Sequence, residues 1–359
     1  MIDVPVRDLR AGLQALCPGL IHELVPGCRR EGNVWAAPNP TRANDSRSSF
    51  KIWGNGAWRE YDEPEDFGKG DILGLVAYVA GFAPRSKEGR KHAIQWAKKR
   101  LGITDGNSDV IKKIRREAAA RRKKADKDEA ERAARIARRV ADILIQSKGA
   151  SHDGFALVRR YLLEARGIDY DAIPNKCPVL RWHSGLRHWG GANWFGPAMV
   201  APAMNGDGFK TGLHATWLHD AGGVDKAPIS QAKLMLGDIK GSVVPLTYGP
   251  SGLSTVEASR QGIRGPLVLC EGIETGLSLA LALPEARVWA ALSIGNIDDA
   301  PVWFDCISSI IVALENDLKP QALAQRDEVL EALARRGKPL TTMQAHQGND
   351  FNDLLKGRV

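Results

Sequence analysis

Residues 265–283, GPLVLCEGIETGLSLALAL, decide the fold. PLVLC is a short, unbroken apolar run, the mark of a strand buried on both faces. It stops at Glu271-Gly272, and the residues beyond have helical character. The same rhythm continues to the end of the chain. VWAALS (288–293) reads as a second strand and SSIIVALEND (308–317) as a third, ending in acids. PQALAQRDEVLEALARRG (320–337) is an amphipathic helix with glycine at its end, and KPLTTMQA (338–345) is a fourth strand before GNDFNDLLKG (348–357). Strands alternating with helices of this length predict a mainly parallel sheet flanked by helices, an α/β arrangement.

Working outward, FALVRRYLLEARGI (155–168) reads as a helix ending at Gly167. PAMVAPAMNGDGFKTGLHATWL (197–218) reads as a hairpin about an Asn-Gly-Asp-Gly turn. Before it, the segment from about Asp109 to Ser147 has no Gly, Pro or aromatic residue and predicts one long helix. Between Val110 and Lys148 stand 14 Lys/Arg against 6 Asp/Glu, a net of +8, which equals the formal net charge of all 359 residues. Charge concentrated on one element points to a polyanionic partner or to a solvated connector. The first hundred residues are rich in Trp, Gly and Asn. SFKIW (49–53) and AWREY (57–61) predict small strands about Gly54-Asn55-Gly56, followed by helices at 70–82 and 87–102.

Expected domains are 1–105, a β-rich unit with helices; 106–150, a basic helical linker; 151–262, an α+β subdomain; and 263–359, the α/β unit. No apolar run approaches membrane-spanning length. The polar N-terminus carries no export signal, and five scattered cysteines (17, 28, 177, 270, 306) form no CxxC pair. These features predict a reduced, cytoplasmic protein without disulfides, a cysteine zinc site or membrane contact.

In open parallel sheets, chemistry gathers beyond the carboxyl ends of the strands. Three of those ends carry acid here: Glu271, then Glu315 and Asp317, then Asp350 and Asp353. Singly, each has an ordinary role as a helix-starting acid, a turn former or an Asx cap. Collected at one edge, carboxylates repel unless a cation lies among them, and oxygen-only donors suit Mg²⁺ or Mn²⁺.

At these residues the sequence resembles the Toprim domain shared by bacterial primases, topoisomerases and some nucleases. LVLCEGIETGLSLA is similar to the family's glutamate motif, IIVALENDLKP to its Asp-x-Asp motif and GNDFNDLL to the closing segment of phage and plasmid primases. The resemblance implies Glu271 as catalytic acid or base, and Glu315, Asp317, Asp350 and Asp353 as the metal shell. Two departures stand out. Glu315 occupies the place of the first Asp, and the acid found in primases four residues after the glutamate is Thr275, with Glu274 one place earlier.

Upstream, RRYLLEARGIDYDAI (159–173), the hairpin and KAPISQAKLMLG (226–237) resemble the primase catalytic core. This implies Arg159, Arg160, Arg166, Lys226 and Lys233 as contacts to template strand and nucleotide, with surface ion pairs as the alternative. The N-terminal unit resembles a primase zinc ribbon stripped of its ligands. Only Cys28 stands near a ligand position, so no zinc is expected. Trp35, Trp53 and Trp58 are expected either to stack on single-stranded DNA or to fill the core the metal would have organised.

The resemblance thus implies a DNA primase-like enzyme that makes short RNA primers on single-stranded DNA from ribonucleoside triphosphates with Mg²⁺ or Mn²⁺. Its setting would be phage or plasmid replication. No G-x-x-x-x-G-K-[ST] loop is present, so a separate replicative helicase is an expected partner. The alternatives are a Toprim nuclease and a non-catalytic DNA-binding replication accessory protein.

Overall fold

Alternating burial explains the first sheet. Phe50 and Ile52 turn inward from one strand and Trp58 and Glu60 from its neighbour, with Gly56 at positive φ closing the turn between them. The computed structural model describes residues 4–42, 48–64, 67–103, 108–316 and 319–357, and the chain divides into two compact units, Met1–Ala130 and Glu131–Val359.

The first unit begins with helices α1 (Val6–Ala15) and α2 (Gly19–Leu24). Strands β1 (Arg29–Glu31), β2 (Val34–Ala37), β3 (Phe50–Trp53), β4 (Trp58–Glu60) and β5 (Lys69–Gly70) follow as one antiparallel sheet in sequential order. Helices α3 (Ile72–Val79) and α4 (Lys87–Arg100) pack on it, and α5 (Ser108–Gln146) leaves it. Asp71 starts α3 by accepting from the Gly74 N–H at 2.9 Å. Trp58, Phe50 and Tyr78 stack as one aromatic core, with centroids 4.5–5.7 Å apart. Cys28 Sγ lies 3.3 Å from His22 Nδ1.

The α5 helix is buried only at its ends. Ile111 and Ile114 pack within the first unit, and Arg115 pairs with Asp8 there at 2.6 Å. Val140, Ile143 and Leu144 pack within the second. Every residue from 119 to 135 is exposed.

In the second unit, α6 (Ala156–Arg160) continues through a single π-turn at Tyr161–Ala165, and Gly167, at positive φ, ends it. Strands β6 (Arg181–Arg187), β7 (Phe195–Met204), β8 (Lys210–Asp220), β9 (Val224–Lys226) and β10 (Lys233–Gly237) form an antiparallel sheet in the order β10-β8-β7-β6, with β9 also on β8. The β7–β8 hairpin turns at the expected Asn-Gly-Asp-Gly, where Asn205 Oδ1 accepts from the Asp207 and Phe209 N–H groups.

The α/β unit expected at 263–359 begins earlier than that, because an antiparallel edge strand at 244–245 joins its sheet. It comprises β11 (Val244–Pro245), α7 (Thr255–Arg260), β12 (Gly265–Cys270), α8 (Ile273–Ala282), β13 (Arg287–Ala290), β14 (Ile307–Leu314), α9 (Pro320–Ala334), β15 (Leu340–Gln344) and α10 (Phe351–Leu355). The sheet order is β11-β13-β12-β14-β15, parallel throughout except β11. Alternation along β12 serves two cores. Val268 and Cys270 face one with Leu277 of α8, and Leu267 and Leu269 face the other with Val329 and Leu333 of α9.

Gly276 lets α8 lie close to the sheet: a Cβ there would come within 2.4 Å of Leu246 Cδ1 and 2.9 Å of Cys270 Sγ. Gly276→Val is therefore expected to cost about 1–3 kcal/mol from overpacking, read as a lower urea midpoint at unchanged slope. An unchanged midpoint would mean that α8 is free to shift outward.

Candidate active site

Because β12 and β14 are parallel neighbours, with Leu269 opposite Val312, Glu271 and Glu315 leave adjacent strands at the same edge. β15 flanks β14, and the loop after it returns Asp350 to this edge. Asn316 ties the two loops. Its N–H donates to the Asn349 carbonyl at 2.8 Å, and its side-chain amide donates to the carbonyls of Ala345 (2.8 Å) and Gly348 (2.9 Å). Asp350 caps α10, Oδ1 accepting from the Asn352 and Asp353 N–H groups at 2.9 Å. Its Oδ2 accepts from the Thr275 hydroxyl at 2.7 Å. Thr275, in the position where an acid was expected, thus bridges α8 to the closing segment. Asp353 Oδ2 accepts from the Asn349 N–H. Asp317 lies outside the described residues.

The convergence registers on one atom. The Cys270 thiol, at the end of β12, is pushed well above its ordinary range, first by burial and then by the negative charges of Glu315, Glu271 and Asp350. Three acids from three separate segments thus bear on one buried point. Among the described residues no three His, Cys, Asp or Glu side chains close into a ready metal cage. The donor chemistry nonetheless fits a hard divalent ion: the side chains at these adjacent strand ends are carboxylates, oxygen donors of the kind such ions take.

Beside this edge lies a second cluster, built on Glu274 in the first turn of α8. Glu274 is 5% exposed. It pairs with Lys233 Nζ at 2.7 Å and accepts from the Tyr161 hydroxyl at 2.7 Å. Burial pushes its carboxyl up, but Lys233 and Tyr161 outweigh burial and hold it down at about 2. Tyr161 in turn accepts from Arg166 Nε at 2.9 Å, and the Arg166 guanidinium lies over the Tyr161 ring. Lys226 is lowered by burial and then by the positive charges of Arg166 and Lys233. His214 is pulled down to about 4 by burial, with Glu274 opposing and Lys233 adding to the fall. Lys233 lies across from Thr216 on β8, and His214 follows on the same face. Three crowded cations, with buried Glu274 and exposed Asp225 as the nearest acids, make a site suited to phosphate.

Of the five basic residues expected here, Arg166, Lys226 and Lys233 come together. Arg159 pairs with Asp171 at 2.8 Å, and Arg160 is shared by Asp220 (2.6 Å) and Glu164 (2.9 Å). Tyr161, His214 and Asn352 are additions that the sequence pattern does not single out. Asn352 is buried and donates to the Arg166 carbonyl at 2.7 Å and to Ser278 Oγ at 3.1 Å, fastening α10 beneath the basic cluster. Its only trace in the sequence is its place between Asp350 and Asp353.

Residues 128–246 match a domain of unknown function, DUF7146, and residues 266–358 match the Toprim domain. No curated protein matches the chain. Among solved structures, the zinc-binding and RNA polymerase domains of the Aquifex aeolicus primase share 11% identity at TM-score 0.36, covering 98% of this chain and 82% of that one. The primase fragment of the bacteriophage T7 primase-helicase shares 16% at TM-score 0.32, covering 55% and 71%. A Pseudomonas aeruginosa DNA primase domain shares 15% at TM-score 0.29, covering 48% and 52%. Likenesses this distant assign no activity. The strand order, the acids at the strand ends and the matched segment agree on one point: residues 266–358 are a Toprim domain.

Proposed function

We propose that the chain is a primase-type nucleotidyltransferase, joining ribonucleotides on a single-stranded DNA template. The observation that carries the reading is the pairing of two groups about the start of α8: Glu271 and Glu315 at adjacent strand ends with Asp350 bonded to Thr275, and Lys233 and Arg166 gathered on Glu274 and Tyr161, with Lys226 beside them. Acids suit a metal-assisted phosphoryl site, and cations suit the triphosphate.

In this reading Glu271 accepts the proton of the primer 3′-hydroxyl, whose oxygen attacks the α-phosphorus as pyrophosphate leaves. Lys233, Arg166 and Lys226 bind the phosphates and take up charge on the leaving group. Glu274 and Tyr161 hold Lys233 and Arg166 in place, so that little rearrangement accompanies substrate binding. Glu315, Asp317, Asp350 and Asp353 would hold Mg²⁺ or Mn²⁺, which would supply phosphate alignment and charge neutralisation when bound. A separate helicase would supply the single strand.

Incubation with single-stranded DNA and labelled ribonucleotides is expected to yield short RNA. Template loss without such products would favour the nuclease reading. The exposed Arg121, Arg122, Lys123 and Lys124 on α5 are assigned to template phosphates. Replacing all four by alanine should weaken DNA binding and flatten its log–log salt dependence by about 0.7 for each phosphate of the single strand no longer neutralised. An unchanged slope would remove the arm from the DNA path.

A further inference from the structure

The first unit holds a cavity of about 730 Å³, walled by its sheet on one side and by α1, α3 and α4 on the others. That volume lies in the range that encloses small ligands, about 300–1,000 Å³. Its lining has two characters. Trp53 and Trp58 supply aromatic surface, and Arg59, Lys69, Arg85 and Arg90 supply basic groups. The only acid among the described lining residues, Asp71, already caps α3 and pairs with Arg10 at 2.6 Å.

Trp58 is 1% exposed, and its indole N–H is buried with no acceptor among the described residues. Buried indole donors ordinarily find one. Gly70 and Gly74 flank that nitrogen. A Cβ on Gly70 would stand 2.9 Å from Nε1, so the glycines leave the indole edge uncovered by side chains.

We propose that this cavity binds a free nucleotide, its base against Trp53 with the base edge toward the Trp58 N–H, and its phosphates on the basic rim. A nucleotide brings a planar ring, acceptors on the ring edge for Trp58, and an anion for Arg59 and Arg90. A simple anion would leave the indoles unused, and an apolar ligand would leave the cations unused. The site lies wholly within the first unit and does not depend on the carboxylate edge or on the activity proposed there.

Titration of the full chain with ATP and GTP in EDTA, followed by calorimetry and tryptophan fluorescence, tests it. One saturable site is expected without metal. Arg59→Ala with Arg90→Ala should weaken it at least tenfold, and inorganic triphosphate should bind at least tenfold more weakly than either nucleotide. Trp58→Phe removes the N–H together with the pyrrole ring; with its urea midpoint measured beside it to confirm the fold, it should weaken binding severalfold. Glu271→Gln should leave the site intact whether or not primers are made. No saturable binding in EDTA would overturn the proposal, as would triphosphate binding as tightly as GTP. Binding of oligonucleotide alone, or binding lost in Glu271→Gln but kept in the arginine variants, would also overturn it.

Discussion

Glu274→Ala is expected to cost the second unit about 2–4 kcal/mol. The carboxylate is buried and is the common partner of Lys233 and the Tyr161 hydroxyl, itself tied to Arg166. Alanine leaves a sealed hydroxyl without its acceptor and a half-buried ammonium without its counter-ion. At about 2–4 °C per kcal/mol for a unit of this size, thermal unfolding should shift by roughly 5–15 °C.

The same interactions make stability pH-dependent. The Glu274 carboxyl is depressed in the folded state to about 2, so its contribution is complete above its unfolded value near 4.5 and is lost as pH falls toward 2. His214, also depressed, adds a loss that begins lower than its ordinary 6.5 and runs toward 4. The wild type should therefore weaken steadily below about pH 6.5, and Glu274→Gln should flatten the lower part of that fall. An alanine variant as stable as wild type, with the same acid profile, would show that Glu274 is not the anchor of the cluster.

The second large effect is on rate. Glu271→Gln should reduce primer synthesis by about 10²–10⁴-fold, the range for losing a positioned general base, with the fall in kcat rather than KM. Circular dichroism and the urea midpoint should hardly move, because Glu271 stands at a strand end outside the core clusters. Lys233→Ala should separate from it by raising KM for the nucleotide. Equal kcat for wild type and Glu271→Gln would take the base role away from Glu271.

Most of the α/β unit was legible because β12 and β14 are short apolar runs closed by acid, and the parallel order of β12 to β15 follows from the alternation with helices; the antiparallel edge strand β11, two residues long, left no such pattern. The acids at strand ends were legible for the same reason. The basic cluster was only half so. Arg159, Arg160 and Arg166 share one stretch, and nothing local tells which face of the helix and its π-turn meets α8. Tyr161 and Glu274, 113 positions apart, are partners through the fold alone. Glu274 itself stood one place from where an acid was expected, and its burial depends on Lys233 arriving from another sheet. Helices α1 and α2 were not anticipated: Leu9 and Leu13 give α1 a buried stripe too narrow to stand out among charged neighbours.

The most direct test is primer synthesis on single-stranded DNA with labelled ribonucleotides and Mg²⁺ or Mn²⁺, wild type beside Glu271→Gln. The account predicts short RNA from the wild type, dependent on the metal, and almost none from the variant. No product from a folded wild type under either metal, or equal product from both proteins, would contradict it.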